Sequence, residues 1–147
     1  MFHVDTPSGC LVVARWSEFR STTEAEAFRD AIKAAVVKVK PAVICADWTR
    51  ATVVSPGVAE VMSGMLRAAN PMLTRSSILL GVEHAIFNLQ TERLVREAGN
   101  PNRRTFRKAQ EMLAWLAEVL SPAEHDAARR FLAEDAPPSR PGRGDAP

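Results

Sequence analysis

The stretch WTRATVVSPGVAEVMSGML, Trp48 to Leu66, follows an apolar run that ends in Asp47. It offers a carboxylate at Asp47, a guanidinium at Arg50 and a hydroxyl at Ser55, the last followed by Pro56 and Gly57. Four uses of Ser55 are open: helix cap, anion site, nucleophile and phosphoacceptor. As an N-cap its hydroxyl accepts from an orphan backbone N–H, and Pro56 at the first helical position forfeits no useful donor. The same helix N-terminus favours an anion or a phosphate. A nucleophile needs a base and an orienting acid, and no G-x-S-x-G elbow surrounds Ser55. Asp47 stands at the carboxyl end of a strand, where open α/β sheets place their sites, though a carboxylate there also caps loops. Arg50 can pair with Asp47, meet a ligand's phosphate or stay solvated.

Other reactive side chains are scattered. Arg103, Arg104, Arg107 and Lys108 crowd around Phe106. Such a run suits nucleic acid, but also blocks edge-to-edge pairing of a sheet, and the net charge of +2 argues against a nucleic-acid partner. Cys10 and Cys45 each lie in an apolar run, which predicts reduced, buried thiols. His3, His84 and His125 share no ligand spacing, so neither a metal nor a cofactor is expected. The tripeptide Arg143-Gly144-Asp145 matches an adhesion motif by chance. Trp115, Phe131 and Leu132 either cover each other or form a small docking surface.

Alternating strands and helices must position these groups. Residues 2–16 read as a hairpin turning at Pro7-Ser8-Gly9, with CLVVARW as its second strand. Thr23 and Glu26 form a capping box, Phe28, Ile32, Ala35 and Val39 make one face, and Pro41 stops that helix. AVICADW reads as a strand covered on both faces. After Ser55, the stripe Val58, Val61, Met62, Met65, Ala69 has helical spacing. SSILLGV is a strand, a helix runs from about His84 to Ala98, and Gly99-Asn100-Pro101 ends it. RRTFRK reads as a short strand with Phe106 inward and its arginines outward. AQEMLAWLAEVL is a helix burying Met112, Leu113, Leu116 and Leu120. Ser121, Pro122 and Glu124 open a last short helix. Residues 121–135 are read as an appended helix and 136–147 as a disordered tail.

The opening hairpin, the strand VICAD, the Ser-Pro-Gly helix start, SILLGV and the closing TFRKAQEMLAWL together resemble a STAS domain over roughly residues 2–120. This is the fold of bacterial anti-sigma-factor antagonists, and the closing pattern is most similar to STAS-like proteins of unassigned function. In the antagonists a loop reading Asp-Ser-Ser/Thr-Gly carries a serine phosphorylated by a partner kinase. Aligned on Gly57, the resemblance places Ser55 at the phosphoacceptor, Pro56 at the second Ser/Thr and Val54 at the aspartate. It implies a partner-facing surface at Asp47, Ser55, Gly57 and Val58, beside Arg50.

The expected fold is therefore a single α/β STAS-like domain over residues 1–120. It has a mixed sheet of four to five strands, an opening hairpin and about four packed helices, plus the short C-terminal helix. The function it implies is a non-catalytic protein-interaction domain in bacterial signalling, meeting a kinase, an anti-sigma factor or another signalling component. A second copy of the chain stays open as a partner. The alternative is a small apolar or lipid-like ligand lined by Met62, Met65 and Met72, since STAS-like folds share topology with lipid-transfer domains. No nucleophile–base–acid set, metal motif or phosphate loop supports an enzyme. No apolar run reaches membrane-span length and no signal segment is visible, which points to the cytoplasm.

Overall fold

β-branched and apolar runs form the strands, and the computed structural model describes them within residues 1–134. β1 (Phe2–Ser8) has alternate side chains half-buried, whereas β2 (Leu11–Trp16) is buried almost throughout. They pair antiparallel, with an irregularity between Asp5 and Ser8. Pro7 lies inside β1 rather than in the turn, and an edge strand tolerates its missing N–H. The turn falls at Gly9–Cys10 instead, so Cys10 is a half-buried turn residue and not a strand thiol. Cys45 is fully buried, and its thiol is pushed up chiefly by burial and then by the charge of Asp47.

β3 (Ala42–Trp48), β4 (Leu73–Leu80) and β5 (Arg103–Phe106) continue the sheet in the order β1-β2-β3-β4-β5. All pairings after the first are parallel, giving a mixed five-stranded sheet. The central strand β3 is buried at every position, as a strand covered on both faces must be.

The crossovers are α1 (Thr22–Val39), α2 (Pro56–Ala69) and α3 (Ala85–Ala98), and they cover one face of the sheet. The cap of α1 is Ser21 and not Thr23: Ser21 Oγ accepts from Glu24 N at 3.3 Å, and Glu24 Oε1 accepts from Arg20 N at 2.6 Å. Both S/T-x-x-E pairs satisfy the capping spacing. The earlier one starts the helix, whose buried face is Ala25, Phe28, Ile32 and Val36, with Ala35 and Val39 at its margin. Val58, Met62, Met65 and Ala69 of α2 are buried as the stripe predicts, with Leu66 added and Val61 partly exposed.

α4 (Ala109–Ala117) and α5 (Pro122–Glu134) cover the opposite face. Met112, Leu116 and Leu120 are buried, but Trp115 joins them and Leu113 is only half-buried. Trp115 lies 5.6 Å from the Phe106 ring, with the guanidinium groups of Arg75 and Arg104 over it at 4.5 and 5.0 Å. α5 is no appendage. Its Ala127, Ala128, Phe131 and Leu132 are buried against Leu11, Val13 and Val43, so it completes the second core. Positions 135–147, including Arg143-Gly144-Asp145, lie outside the described residues.

Arg103 does not point outward with its neighbours. In the register it faces Ser76 of β4, and side chains alternate across the sheet, so it points into the layer under α1–α3. Phe106, opposite Leu79, points to the other face. Arg103 is accordingly buried, while Arg104 is exposed and Arg107 pairs with Glu92 at 3.0 Å.

Glu124 joins the end of the fold to its beginning. Its carboxylate accepts from Ser121 N at 2.8 Å and from Cys10 N at 2.7 Å, and Glu124 N donates to Ser121 Oγ at 3.2 Å. These bonds hold its carboxyl below the ordinary value of 4.5. A depressed folded pKa contributes stability that is present above the ordinary value and lost as pH falls through the folded one. Glu124→Gln should therefore cost on the order of 1 kcal/mol at neutral pH, discounted for solvent screening. Thermal melts should show the gap between wild type and variant closing as pH drops below about 4. A gap that stays constant from pH 7 to pH 3 would refute the carboxylate's role.

Candidate functional site

The polypeptide between β3 and α2 and the loop between β4 and α3 meet at the carboxyl ends of the parallel strands, where open sheets carry their sites. They meet closely. A Cβ on Gly81 would stand 2.6 Å from the carbonyl oxygen of Thr49, so only glycine lets the two loops touch. Gln90 of α3 reinforces the contact, Oε1 accepting from Val54 N at 3.3 Å and Nε2 donating to Val54 O at 3.4 Å.

The residues singled out from the sequence divide here into two places. Asp47 follows Val43 and Cys45 in the strand alternation, on the face of α4 and α5. It is 4% exposed, and its Oδ1 accepts from Thr49 N at 2.9 Å, which makes it a loop-capping carboxylate. With Arg50, Thr52, Glu83, His84 and Leu132 it lines a cleft of about 560 Å³. Ser55 lies outside that cleft, at the start of α2 on the other side of the sheet. Its Oγ accepts from Val58 N at 3.3 Å, its backbone is extended, and Pro56 occupies the first turn: the cap is made.

Gly57 is exposed, and its lack of a side chain has a packing reason, because a Cβ there would come within 2.9 Å of Thr22 Cγ2 on α1. Val58 is 2% exposed and belongs to the core, so it presents nothing to a partner. Thus Asp47 and Arg50 share one cleft, Ser55 and Gly57 share an exposed helix start, and Val58 faces inward. Among the described residues, no group of three or more His, Cys, Asp or Glu side chains is placed to hold a metal ion, and no helix is long and apolar enough to cross a membrane.

The feature that sequence reasoning missed is on α3. Its inward residues include Asn88, 2% exposed, and Thr91, fully buried, beside Phe87. Its outward residues include Ile86 and Leu89, 66% and 67% exposed. At its N-terminal half the helix buries two polar residues beside Phe87 while leaving two large apolar ones in solvent. Asn88 is held inside by donating Nδ2 to Gly81 O at 2.6 Å, which ties the helix to the loop that carries exposed Val82. Exposed Val53, on the loop that Gln90 grips, lies two residues before Ser55. The signal was legible in AIFNLQTERLV: one apolar face suffices for a surface helix, and this segment has apolar residues to spare.

The chain matches no family model, and neither the curated proteins nor the solved structures contain a match to it. What the structure establishes is the class: over the described residues, an α/β domain with an opening hairpin, a mixed five-stranded sheet and five α-helices.

Proposed function

We propose that this protein is a non-catalytic interaction domain that docks another protein with the end of the sheet carrying Ser55. The observation that carries the reading is the outer face of α3, where Ile86 and Leu89 stand in solvent while Asn88 and Thr91 are buried beside Phe87. Val53 and Val82, 57% and 79% exposed, extend the same end of the molecule. Exposing large apolar side chains while burying polar ones opposes the hydrophobic effect, and contiguous exposed apolar groups mark contact sites. The STAS resemblance supports the same end as partner-facing, and a kinase or anti-sigma factor of bacterial signalling is the partner class it suggests.

Ser55 then acquires a second role beside its cap. A phosphate there adds between one and two negative charges next to an apolar contact, at a helix start that tolerates them. Phosphorylation would leave the fold intact and oppose docking.

The test is capture from a lysate of the native host, quantified against substitutions. Ile86→Glu and Leu89→Glu should each reduce recovery of the specific partner at least about tenfold, with melting temperature unchanged, because both side chains are already in water. Ser55→Asp should weaken capture while keeping the cap, and Ser55→Ala should keep capture while losing about 1 kcal/mol of stability. Equal capture by wild type, Ile86→Glu and Leu89→Glu would sink the reading.

A further inference from the structure

The opposite end of the sheet holds a buried charge with no counter-charge among the described residues. Arg103 is 4% exposed. Its Nη1 donates to Asn70 Oδ1 at 2.8 Å and its Nη2 to Leu66 O at 3.1 Å, both neutral oxygens. Its Nε is buried and donates to nothing. Leu66 is in the last turn of α2, whose terminal carbonyls supply about half a negative charge, less than the full charge of a guanidinium. Burial pulls its pKa below the ordinary arginine value, to about 10. Buried charges are ordinarily paired, and an unpaired one costs several kcal/mol.

What faces Arg103 is an apolar hollow. Arg103 and Ser76 form the polar end of a cavity of about 30 Å³ beneath α1 and α2, lined otherwise by such residues as Phe28, Ile44 and Trp48. Trp48 likewise leaves its Nε1 buried and without a partner. Above the cavity, a groove of about 440 Å³ runs between α1 and α2. Ile32, Met65 and Ala69 line both spaces, and the groove adds the apolar Val36, Ala68 and Met72 together with the charged Arg29, Asp30 and Lys33 of α1. The partition between them thus includes a methionine, whose unbranched side chain adapts its shape readily. The groove volume is within the roughly 300–1,000 Å³ of small-molecule sites.

We propose that the groove and the cavity form one site for a single-chain carboxylate amphiphile of the fatty-acid class, its carboxylate on Arg103 and its chain between α1 and α2. The inner space is too small for a chain and fits a compact head group, while the groove supplies apolar side chains from both helices, Ile32 and Val36 of α1 and Met65, Ala68 and Ala69 of α2. The unpaired Nε–H and the uncompensated charge select a carboxylate over an alcohol. Met65 and Met72 line this site, whereas Met62 is buried in the core beside it. The site is independent of the docking surface at the other end of the strands.

The test is titration of the full chain with dodecanoate, dodecanol and acetate, read by calorimetry and by tryptophan fluorescence, with dodecanoate kept below micelle formation. Dodecanoate should bind saturably and about tenfold or more tightly than dodecanol, as a charge-assisted bond to a buried group requires, and acetate should not bind measurably. Arg103→Met should bring dodecanoate to the affinity of dodecanol. Ala68→Trp, at an exposed position in the groove, should block both ligands without lowering the melting temperature. If Arg103→Met does not fold, the wild-type ratio and Ala68→Trp decide the matter alone. No saturable binding of dodecanoate, equal affinity for dodecanoate and dodecanol, or binding unchanged by Ala68→Trp would each overturn the proposal.

Discussion

Ending the chain after Leu120 will cost the fold on the order of 5 kcal/mol or more, relative to a chain ending after Glu134. The expectation follows from what α5 covers. Phe131 and Leu132 are 4% and 9% exposed, Ala127 and Ala128 are buried beside them, and Leu11, Val13 and Val43 lie beneath. Burying one large apolar side chain is worth about 1.5–3 kcal/mol, and the truncation removes two while uncovering others on β2 and β3. It also removes the Glu124 bond to Cys10 N and the bond from Arg15 Nη2 to Phe131 O at 3.0 Å, above which the Arg15 guanidinium lies 4.1 Å from the ring centre. Domains of this size are stable by about 5–15 kcal/mol, so the truncated chain should be largely unfolded or bind a hydrophobic dye at room temperature. Urea denaturation of the two chains measures the difference. A midpoint unchanged by removal of α5 would show that the helix is the appendage its sequence suggested.

Trp16→Ala should be nearly as damaging, at about 3–5 kcal/mol. Trp16 is 2% exposed and stacks on Phe19 with ring centres 4.3 Å apart. It meets Trp48 at 5.7 Å and Phe87 at 5.4 Å, both edge-on. Phe19 in turn touches Phe28 of α1, and Phe28 touches Phe2 of β1. One indole thus braces the chain entering α1, the end of β3 and the first turn of α3. Because Phe87 is next to Ile86 on that turn, the loss should reach the proposed docking surface as well as the global stability. Trp16→Phe should recover part of both. Thermal melts and near-ultraviolet circular dichroism report the first effect, partner capture the second. A loss under about 1 kcal/mol for Trp16→Ala would show that the ring cluster carries little of the fold.

Local signals made most of the fold legible. The elements, their order and the opening hairpin follow from caps, periodicity and turn residues, as the Ser55-Pro56 helix start and the Gly99 terminus illustrate. What was misread depends on the neighbours of an element. Arg103 looked like an outward charge because arginine is usually solvated, and only the register against Ser76 turns it inward. α5 has few large apolar residues, and their burial depends on the uncovered face of a sheet formed far earlier in the chain. The choice between Thr23 and Ser21 was undecidable from spacing, since both meet the same rule. The candidate site was legible residue by residue and not as an arrangement. Asp47 and Ser55 are close in sequence, but the alternation of β3 turns Asp47 to the α4–α5 face while Ser55 opens α2 on the other, and no motif in the sequence reports that.

The bond between Cys10 N and the carboxylate of Glu124 spans 114 residues and sets an order of events during synthesis. Each strand of this sheet pairs with the one made just before it, so β1 to β5 and the layer of α1–α3 can assemble as the chain emerges, amino end first. The other face has no cover until α4 and α5 arrive. Through most of translation, Leu11, Val13, Val43 and Cys45 therefore form an open apolar surface on a half-built domain. That interval is when a chaperone has something to hold, and the arrival of α5 is what ends it.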